Sequence, residues 1–288
     1  TDDVGPAGTA RRFLTAMLST LPGNFLLTGT ERMKQRPIGI LAEALKNIGA
    51  DITYLEQDGF PPLNINGPLK QSTDTVKIKG DISSQYISAL LMIAPTLPQG
   101  LTLQIEGELT SLPYVKMTLN MLQEAGITHE WAGNNITIKP QTFKPATLAV
   151  EPDWSAASYW YSIAALAQNA QIGLPYLKDK SLQGDSRIRE IMTAFGVQTA
   201  KTDKGINLTT TETNFNNDIL DLKDCPDLAQ TIIVCAAALR KNLKFTGLET
   251  LKIKETDRVL ALQNELSKIG VTLNEDNFIY TLNCDQLN

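Results

Sequence analysis

Two serines and a glutamine stand immediately before an apolar run in the segment Gly80–Gln85. If the run is a helix, Ser83, Ser84 and Gln85 occupy its first turn, where backbone N–H groups have no partner within the helix. Such groups, with side-chain hydroxyls beside them, bind phosphate. The same pattern is also typical of a serine that caps a helix without any ligand. The segment therefore predicts either a site for a phosphate monoester or an ordinary helix cap.

A second segment, 28–37, concentrates positive charge, and Pro37 within it fits the first turn of a helix. Its cations are Arg32, Lys34 and Arg36. Cations at a helix N-terminus oppose the helix dipole, so an anionic ligand such as a carboxylate or phosphate would compensate for them. A solvated basic loop explains the same composition. Earlier in the chain, Gly8 would permit close approach of a ligand to the backbone.

A third charged segment runs from Lys254 to Arg258. These two cations are four residues apart, which predicts that they share one face of a helix, with Glu255 beside them. Charged helix starts of this kind are usually ion-paired surface.

Composition narrows the classes of function. The 288 residues, 42% apolar, predict two domains with substantial cores. A net charge of −5 argues against a nucleic-acid binder. Apolar runs are too short to span a bilayer and no signal peptide is seen, so a cytoplasmic protein is expected. Three cysteines and the single histidine, His129, fit neither a disulfide framework nor a zinc site, and no metal is expected.

The elements that would position these residues recur along the chain. Four amphipathic helical patterns each end at a glycine suited to a left-handed C-cap and are followed by a β-branched strand pattern. The glycines are Gly49, Gly126, Gly196 and Gly270. They are 77, 70 and 74 residues apart, which is too long for a solenoid repeat and indicates a duplicated small domain.

Each repeat has a second helical pattern upstream, and three repeats have a strand pattern before it, which predicts βαβαββ units. The predicted first strands begin at Val76, Thr147 and Ile219. Upstream helices that are apolar nearly all round belong inside, which favours central helices with sheets outside. We expect two repeats in each of two lobes, residues 1–150 and 151–288, with a hinge near Val150.

Seven ordered motifs resemble the EPSP synthases (3-phosphoshikimate 1-carboxyvinyltransferases). They are AGTARRFL from Ala7, LTGTERMKQRPIG from Leu27, GDISSQYISALLMIAP from Gly80, SLPYVKMTLNML from Ser111, SLQGDSRI from Ser181, CPDLAQT from Cys225 and LKIKETDR from Leu251. Their correct order and spacing are more specific than any one motif.

The resemblance implies an EPSP-synthase-like inside-out α/β barrel with two lobes, and four of the family's six βαβαββ units. It also implies the activity: transfer of the enolpyruvyl group of phosphoenolpyruvate to the 5-hydroxyl of shikimate 3-phosphate, in the shikimate pathway to chorismate and the aromatic amino acids. No cofactor and no metal would take part. The expected partners are these two small molecules, for a cytoplasmic monomer that is a target of glyphosate.

Site residues follow from the resemblance position by position. The shikimate 3-phosphate positions are Ser83, Ser84, Gln85, Ser111, Tyr114, Asp227 and Lys254. The phosphoenolpyruvate positions are Gly8, Arg32, Gln85 and Arg258. Two residues would carry the acid-base chemistry: Asp227 would assist removal of the 5-hydroxyl proton, and Glu255 would donate a proton to the methylene carbon of phosphoenolpyruvate.

The chain departs from the family pattern in a few places. Pro6 and Thr250 stand where the family has asparagine. About one repeat, roughly 70 residues, is missing at each end, including cations that grip phosphoenolpyruvate in the family. Two alternatives therefore stay open: the sister transferase that acts on UDP-N-acetylglucosamine, and a fragment that binds ligand without turnover.

Overall fold

In the computed structural model, the described residues are 2–81, 83–107, 109, 112–254 and 256–287. The chain divides into two compact bodies, which we call the N-terminal body (Thr1–Leu148) and the C-terminal body (Ala149–Asn288). Each body has its own hydrophobic core. None of the described helices is long and apolar enough to cross a membrane.

The N-terminal body contains two repeats. Its helices are α1 (Gly8–Thr20), α2 (Glu31–Lys34), α3 (Gly39–Asn47), α4 (Ser84–Ile93) and α5 (Leu112–Glu124). Its strands are β1 (Asp2–Asp3), β2 (Gly23–Thr28), β3 (Asp51–Tyr54), β4 (Leu63–Gly67), β5 (Thr75–Lys79), β6 (Leu101–Glu106), β7 (Glu130–Ala132) and β8 (Asn135–Ile138). They form two sheets with strand orders β1-β2-β4-β3 and β5-β6-β8-β7.

The C-terminal body follows the same plan. Its helices are α6 (Trp154–Leu166), α7 (Ile188–Ala194), α8 (Ala229–Ala238) and α9 (Arg258–Ser267). Its strands are β9 (Gln171–Pro175), β10 (Val197–Thr202), β11 (Gly205–Thr210), β12 (Ile219–Asp221), β13 (Lys244–Thr246), β14 (Thr272–Asp276) and β15 (Ile279–Asn283). The sheet orders are β10-β11-β9 and β12-β13-β15-β14.

The predicted order of strands and helices is confirmed in the second and fourth repeats, and the first repeat also has a first strand, β1, that was not predicted. In each of them the first strand runs parallel to the second, and the last two strands pair as an antiparallel hairpin. The strand patterns have a physical basis in β5, where Val76 and Ile78 are buried and alternate with exposed Lys77 and Lys79. One face of the strand thus packs against the core.

The third repeat differs, because the strand predicted from Thr147 to Glu151 is not formed. The prediction followed the alternation of apolar residues, but Leu148 is 43% and Val150 is 93% exposed. With no apolar face buried, little favours strand pairing in this segment. The sheet therefore begins at β9.

The first helices of the repeats also differ in burial. The prediction of an inward helix is confirmed for α4, most of whose side chains are buried between α1 and α5. It is wrong for α6, whose residues Tyr159, Trp160, Ile163 and Leu166 are each about half exposed. An apolar composition on all sides allows a helix to be buried all round but does not require it. Helix α6 packs on one side only, against α8 and its own sheet.

The four predicted C-cap glycines all adopt positive φ, as expected for a left-handed helix end. For Gly126, with φ of +84°, the three atoms nearest to an added β carbon would be side-chain carbons of Lys144. We expect Gly126→Ala to lower the free energy of unfolding by about 1–2 kcal/mol, because a β carbon disfavours this backbone conformation. Urea denaturation measures the change.

The matched control is Gly126→Asn, because asparagine tolerates the left-handed conformation better than alanine does. It should recover part of the loss. Equal stability of all three proteins would show that the helix end can change its backbone conformation without cost.

Candidate anion-binding and acid-base sites

In the N-terminal body, one glutamine side chain links the first turns of two helices. Gln85 Nε2 donates a hydrogen bond to Thr9 Oγ1 over 2.8 Å, and Gln85 Oε1 accepts one from Arg12 Nη1. Arg12 also lies 5.3 Å from the ring centroid of Tyr86, the residue after Gln85. The starts of α1 and α4, with their unpaired N–H groups, therefore lie side by side.

The structure bears on the two interpretations of the Ser83 pattern. Ser83 occupies the N-cap position of α4, yet its side chain makes no capping hydrogen bond. Ser84 is the first residue of α4 and is buried, with 7% of its surface exposed. The ordinary helix cap that the sequence also predicted is therefore not formed by the Ser83 side chain.

The basic segment 28–37 splits into different environments. Lys34 pairs with Glu31 at 3.3 Å and with Glu56 at 3.1 Å, so acidic side chains compensate its charge. Arg36 is instead 5% exposed and lies against Gly8, where an added β carbon would come within 2.8 Å of Arg36 Nη1. The segment therefore brings an arginine to the start of α1.

The helices of this segment do not begin where Pro37 predicted. Glu31–Lys34 forms α2, which Thr30 caps by accepting a hydrogen bond from the Met33 backbone at 3.3 Å. Pro37 precedes α3, which begins at Gly39 with Ile38 as its N-cap, so its placement in the first turn is wrong. Arg32 lies within α2, exposed, with Nη1 3.3 Å from Gln35 Oε1.

Tyr114 belongs to the start of α5, and two hydroxyls tie that turn to α4. Thr118 Oγ1 donates to the Tyr114 carbonyl at 3.1 Å and lies 2.8 Å from Ser88 Oγ of α4. Both hydroxyl residues are buried. The first turn of α5 is thus fixed to the helix that begins at Ser84. Ser111 lies outside the described residues.

The C-terminal body holds a second cluster, centred on one carboxylate. Asp227 lies in a short 3-10 turn just before α8. Its Oδ1 is 3.3 Å from Lys254 Nζ and 2.9 Å from Arg258 Nη1. All three side chains are partly exposed. Two cations thus converge on one carboxylate, which can present an oxygen to a hydroxyl group.

The predicted common helical face of Lys254 and Arg258 is wrong. Asp257 caps α9 by accepting a hydrogen bond from the Leu260 backbone at 2.9 Å, so the helix begins only at Arg258. Lys254 precedes it in extended backbone conformation. The two cations converge through the fold, on Asp227, and not through helical spacing. Glu255 lies outside the described residues.

Cys225, next but one to Asp227, does not fit nucleophilic chemistry. It is fully buried, and burial raises the pKa of its thiol to about 12. The thiolate is the reactive form of cysteine, so this side chain stays protonated and inert at neutral pH. The chemistry of the cluster thus depends on the carboxylate and the cations.

Comparison with known proteins shows the family of this chain. Residues 1–288 match the family model of EPSP synthase (3-phosphoshikimate 1-carboxyvinyltransferase). The chain belongs to the EPSP synthase family. The resemblance seen in the motifs is therefore confirmed over the whole chain.

Relatives within the EPSP synthase family agree. The 3-phosphoshikimate 1-carboxyvinyltransferase of Bacteroides fragilis strain ATCC 25285 is 49% identical, over 96% of this chain and 67% of that protein. The protein of the same name from Shewanella loihica is 38% identical, over 94% of this chain and 64% of its own length. The chain thus spans about two thirds of the length of these relatives.

The fold is shared with a solved EPSP synthase from Acinetobacter baumannii. The two superpose with a TM-score of 0.73 at 20% identity, over 98% of this chain and 64% of the other. The predicted EPSP-synthase-like α/β fold is therefore confirmed.

Sequence reasoning from the EPSP synthase motifs missed two residues of the N-terminal cluster, Thr9 and Arg12, whose contacts to Gln85 bring the helix starts together. Arg36 was predicted only as one cation of the basic segment, and its contact with Gly8 was not predicted. One signal was available for Arg12: it follows Gly8 by four residues, which places both on the same face of α1. No local signal marks the contact between Arg36 and Gly8, which depends on the path of the segment that contains α2.

Proposed function

We propose that the protein to which this chain belongs transfers the enolpyruvyl group of phosphoenolpyruvate to the 5-hydroxyl of shikimate 3-phosphate, on the route to chorismate and the aromatic amino acids. Family membership and the names of the relatives support this activity. The observation that carries the proposal is the pair of adjoining helix starts joined through Gln85.

Shikimate 3-phosphate is the proposed ligand of the α4 start. Ser83 and Ser84 would donate hydrogen bonds to its phosphate, beside the unpaired N–H groups of the helix. Ser111 and Tyr114 would complete this side from the region of α5. Gln85 would contact both substrates, because its amide already reaches α1.

Phosphoenolpyruvate is the proposed ligand of the α1 start. Gly8 would let the backbone approach the anion closely, and Arg32 would supply a guanidinium; Arg258 is also proposed to bind phosphoenolpyruvate. Guanidinium groups bind carboxylate and phosphate in bidentate geometry. The contact of Arg36 with Gly8 supports the assignment, since it adds positive charge at the same backbone position.

The acid-base steps are proposed for Asp227 and Glu255, with Lys254 contacting shikimate 3-phosphate. Asp227 would accept the 5-hydroxyl proton as the oxygen bonds to C2 of phosphoenolpyruvate, while Glu255 protonates the methylene carbon to a methyl group. Reversal follows: the methyl group loses a proton, the bond from carbon to the phosphate oxygen breaks, and phosphate leaves. The short contacts of Asp227 to two cations support a role for it at an anionic substrate.

Release of phosphate tests the activity. The full-length protein, given phosphoenolpyruvate with shikimate 3-phosphate, should release one phosphate per acceptor, and glyphosate should compete with phosphoenolpyruvate. UDP-N-acetylglucosamine replaces the acceptor in the control. Release only with the UDP-sugar would overturn the proposal in favour of the sister transferase, and full activity in excess glyphosate would refute competition.

Gly8→Ala tests the proposed phosphoenolpyruvate side. The added β carbon would come within 2.8 Å of Arg36 Nη1, so the guanidinium must move away from the helix start. We expect affinity for phosphoenolpyruvate to fall about tenfold, or ~1.4 kcal/mol, in a calorimetric titration. Affinity for shikimate 3-phosphate is the internal control and should change little. An equal loss for both ligands would contradict the division of the site.

We also propose that the protein is a cytoplasmic monomer. Its three cysteines are all free and buried, which supports a reducing compartment. Sedimentation of the purified protein tests the monomer, which a stable dimer would refute.

A further inference from the structure

An arginine outside all the assigned positions is fully buried beside the N-terminal site. Arg11 of α1 has no exposed surface. Its Nη1 donates to the carbonyls of Met33 at 3.1 Å and Arg36 at 2.7 Å, and its Nη2 donates to that of Pro37 at 3.2 Å. Its Nε makes no hydrogen bond in the structure. Arginine is almost never fully buried unless an acid pairs with it, so this burial requires an explanation.

Among the residues that the structure describes, no acid pairs with Arg11. Burial, together with the neighbouring cations Arg12 and Arg36, lowers its pKa to about 10, while Tyr86 opposes the shift. Every one of its hydrogen-bond acceptors is a main-chain carbonyl. Hydrogen bonds to neutral carbonyls compensate the desolvation of a buried guanidinium less well than an acidic partner would. Stability of the body is therefore a poor reason for an arginine here.

The three carbonyls identify what Arg11 holds. They belong to the end of α2 and to the residues that lead into α3, which we call the arginine segment (residues 32–37). Tyr86 Oη of α4 donates to the same Pro37 carbonyl at 2.7 Å. The arginine segment is thus fastened to both α1 and α4. Because Arg36 within it lies against Gly8, this attachment fixes a guanidinium at the start of α1.

We infer that Arg11 is a positioning residue, whose forked guanidinium holds the arginine segment so that Arg32 and Arg36 are presented to the anion at the α1 start. The identity of that anion as phosphoenolpyruvate rests on the proposed function. The attachment of the arginine segment to α1 does not rest on the proposed function, because it follows from the contacts of Arg11 alone. A lysine cannot replace it, since one ammonium group cannot reproduce a planar fork to three carbonyls.

Two variants of Arg11 test whether this residue acts by positioning the arginine segment, by its charge or by its packing. Arg11→Met keeps the length without charge or fork, and Arg11→Lys keeps the charge without the fork. Thr15→Val is the matched control, because Thr15 is a buried polar residue one turn further along α1 whose hydroxyl bonds only within the helix, to the Arg11 carbonyl. Each protein is measured by amide hydrogen exchange of residues 30–38 without ligand, by thermal unfolding, and by calorimetric titration with phosphoenolpyruvate at low and high salt.

The inference predicts at least tenfold faster exchange of the arginine segment in both Arg11 variants, and at least tenfold weaker phosphoenolpyruvate binding at either salt concentration. The melting temperature of Arg11→Met should change little, because removal of a buried charge and loss of its three hydrogen bonds have opposite effects on stability. Thr15→Val should behave as the wild type. Three results would overturn the inference: unchanged exchange in Arg11→Met, faster exchange with unchanged affinity, or wild-type affinity in Arg11→Lys, which would mean that charge alone matters. Faster exchange in a chain that never binds phosphoenolpyruvate would support the attachment and count against the proposed ligand.

Discussion

Replacing Asp227 by asparagine in the full-length protein is expected to lower turnover by roughly 10²- to 10⁴-fold, the usual contribution of one acid-base group. Asparagine keeps the shape of the side chain but cannot accept the hydroxyl proton. Lys254 and Arg258, which now lie 3.3 and 2.9 Å from the carboxylate, stay in place to bind the anionic substrates. Substrate affinity should therefore change far less than turnover. Steady-state kinetics combined with calorimetric titration measure both quantities.

Asp224→Asn is the matched control, because Asp224 is an exposed carboxylate three residues earlier in the same loop. It should leave turnover unchanged. Glu255→Gln is expected to act like the Asp227 variant if Glu255 is the proton donor. An equal loss of binding and turnover in the Asp227 variant would contradict its proposed role and make it a binding residue.

Replacing Trp154 by alanine should destabilise the C-terminal body by about 3–5 kcal/mol, the usual cost of truncating a buried aromatic side chain. Trp154 has no exposed surface. Its indole N–H donates to Glu151 Oε1 at 2.8 Å, and Arg189 lies 5.7 Å from its ring centroid. The substitution would leave both a cavity and an acceptor with one bond fewer. Denaturation followed by circular dichroism measures the loss.

Trp160→Ala provides the comparison on the same helix. Trp160 is 49% exposed, so its truncation should cost at most about 0.5 kcal/mol, as at other surface positions. A similar loss for both tryptophans would contradict the burial pattern of α6 and would mean that its exposed face is covered in solution.

Regular features of the fold were predictable because they are local. A glycine after an amphipathic run indicates the end of a helix, and only a few neighbouring residues are needed to recognise it. All four such glycines have the expected positive φ. The alternation in β5 likewise reports one buried face. Burial of a whole helix is not local, which is why the composition of α6 predicted a buried helix where the structure has a half-exposed one.

The residues of the candidate sites were likewise predictable only where the signal in the sequence is local. Ser83, Ser84 and Gln85 could be selected from the sequence because a helix start with hydroxyls is a local feature. The link from Gln85 to Thr9 joins residues 76 positions apart and arises only when α1 packs on α4. Arg11 was missed for a related reason: two consecutive arginines in a sequence are typical of surface, and only the path of residues 32–37 buries one of them.

The most direct test of the central claim is a calorimetric titration of the 288-residue chain with shikimate 3-phosphate, beside the Ser83→Ala, Ser84→Ala double variant. UDP-N-acetylglucosamine serves as the control ligand. The proposed site predicts micromolar to millimolar binding of shikimate 3-phosphate that is lost in the double variant, with no heat from the UDP-sugar. Binding that survives in the double variant, or binding of the UDP-sugar alone, would contradict it.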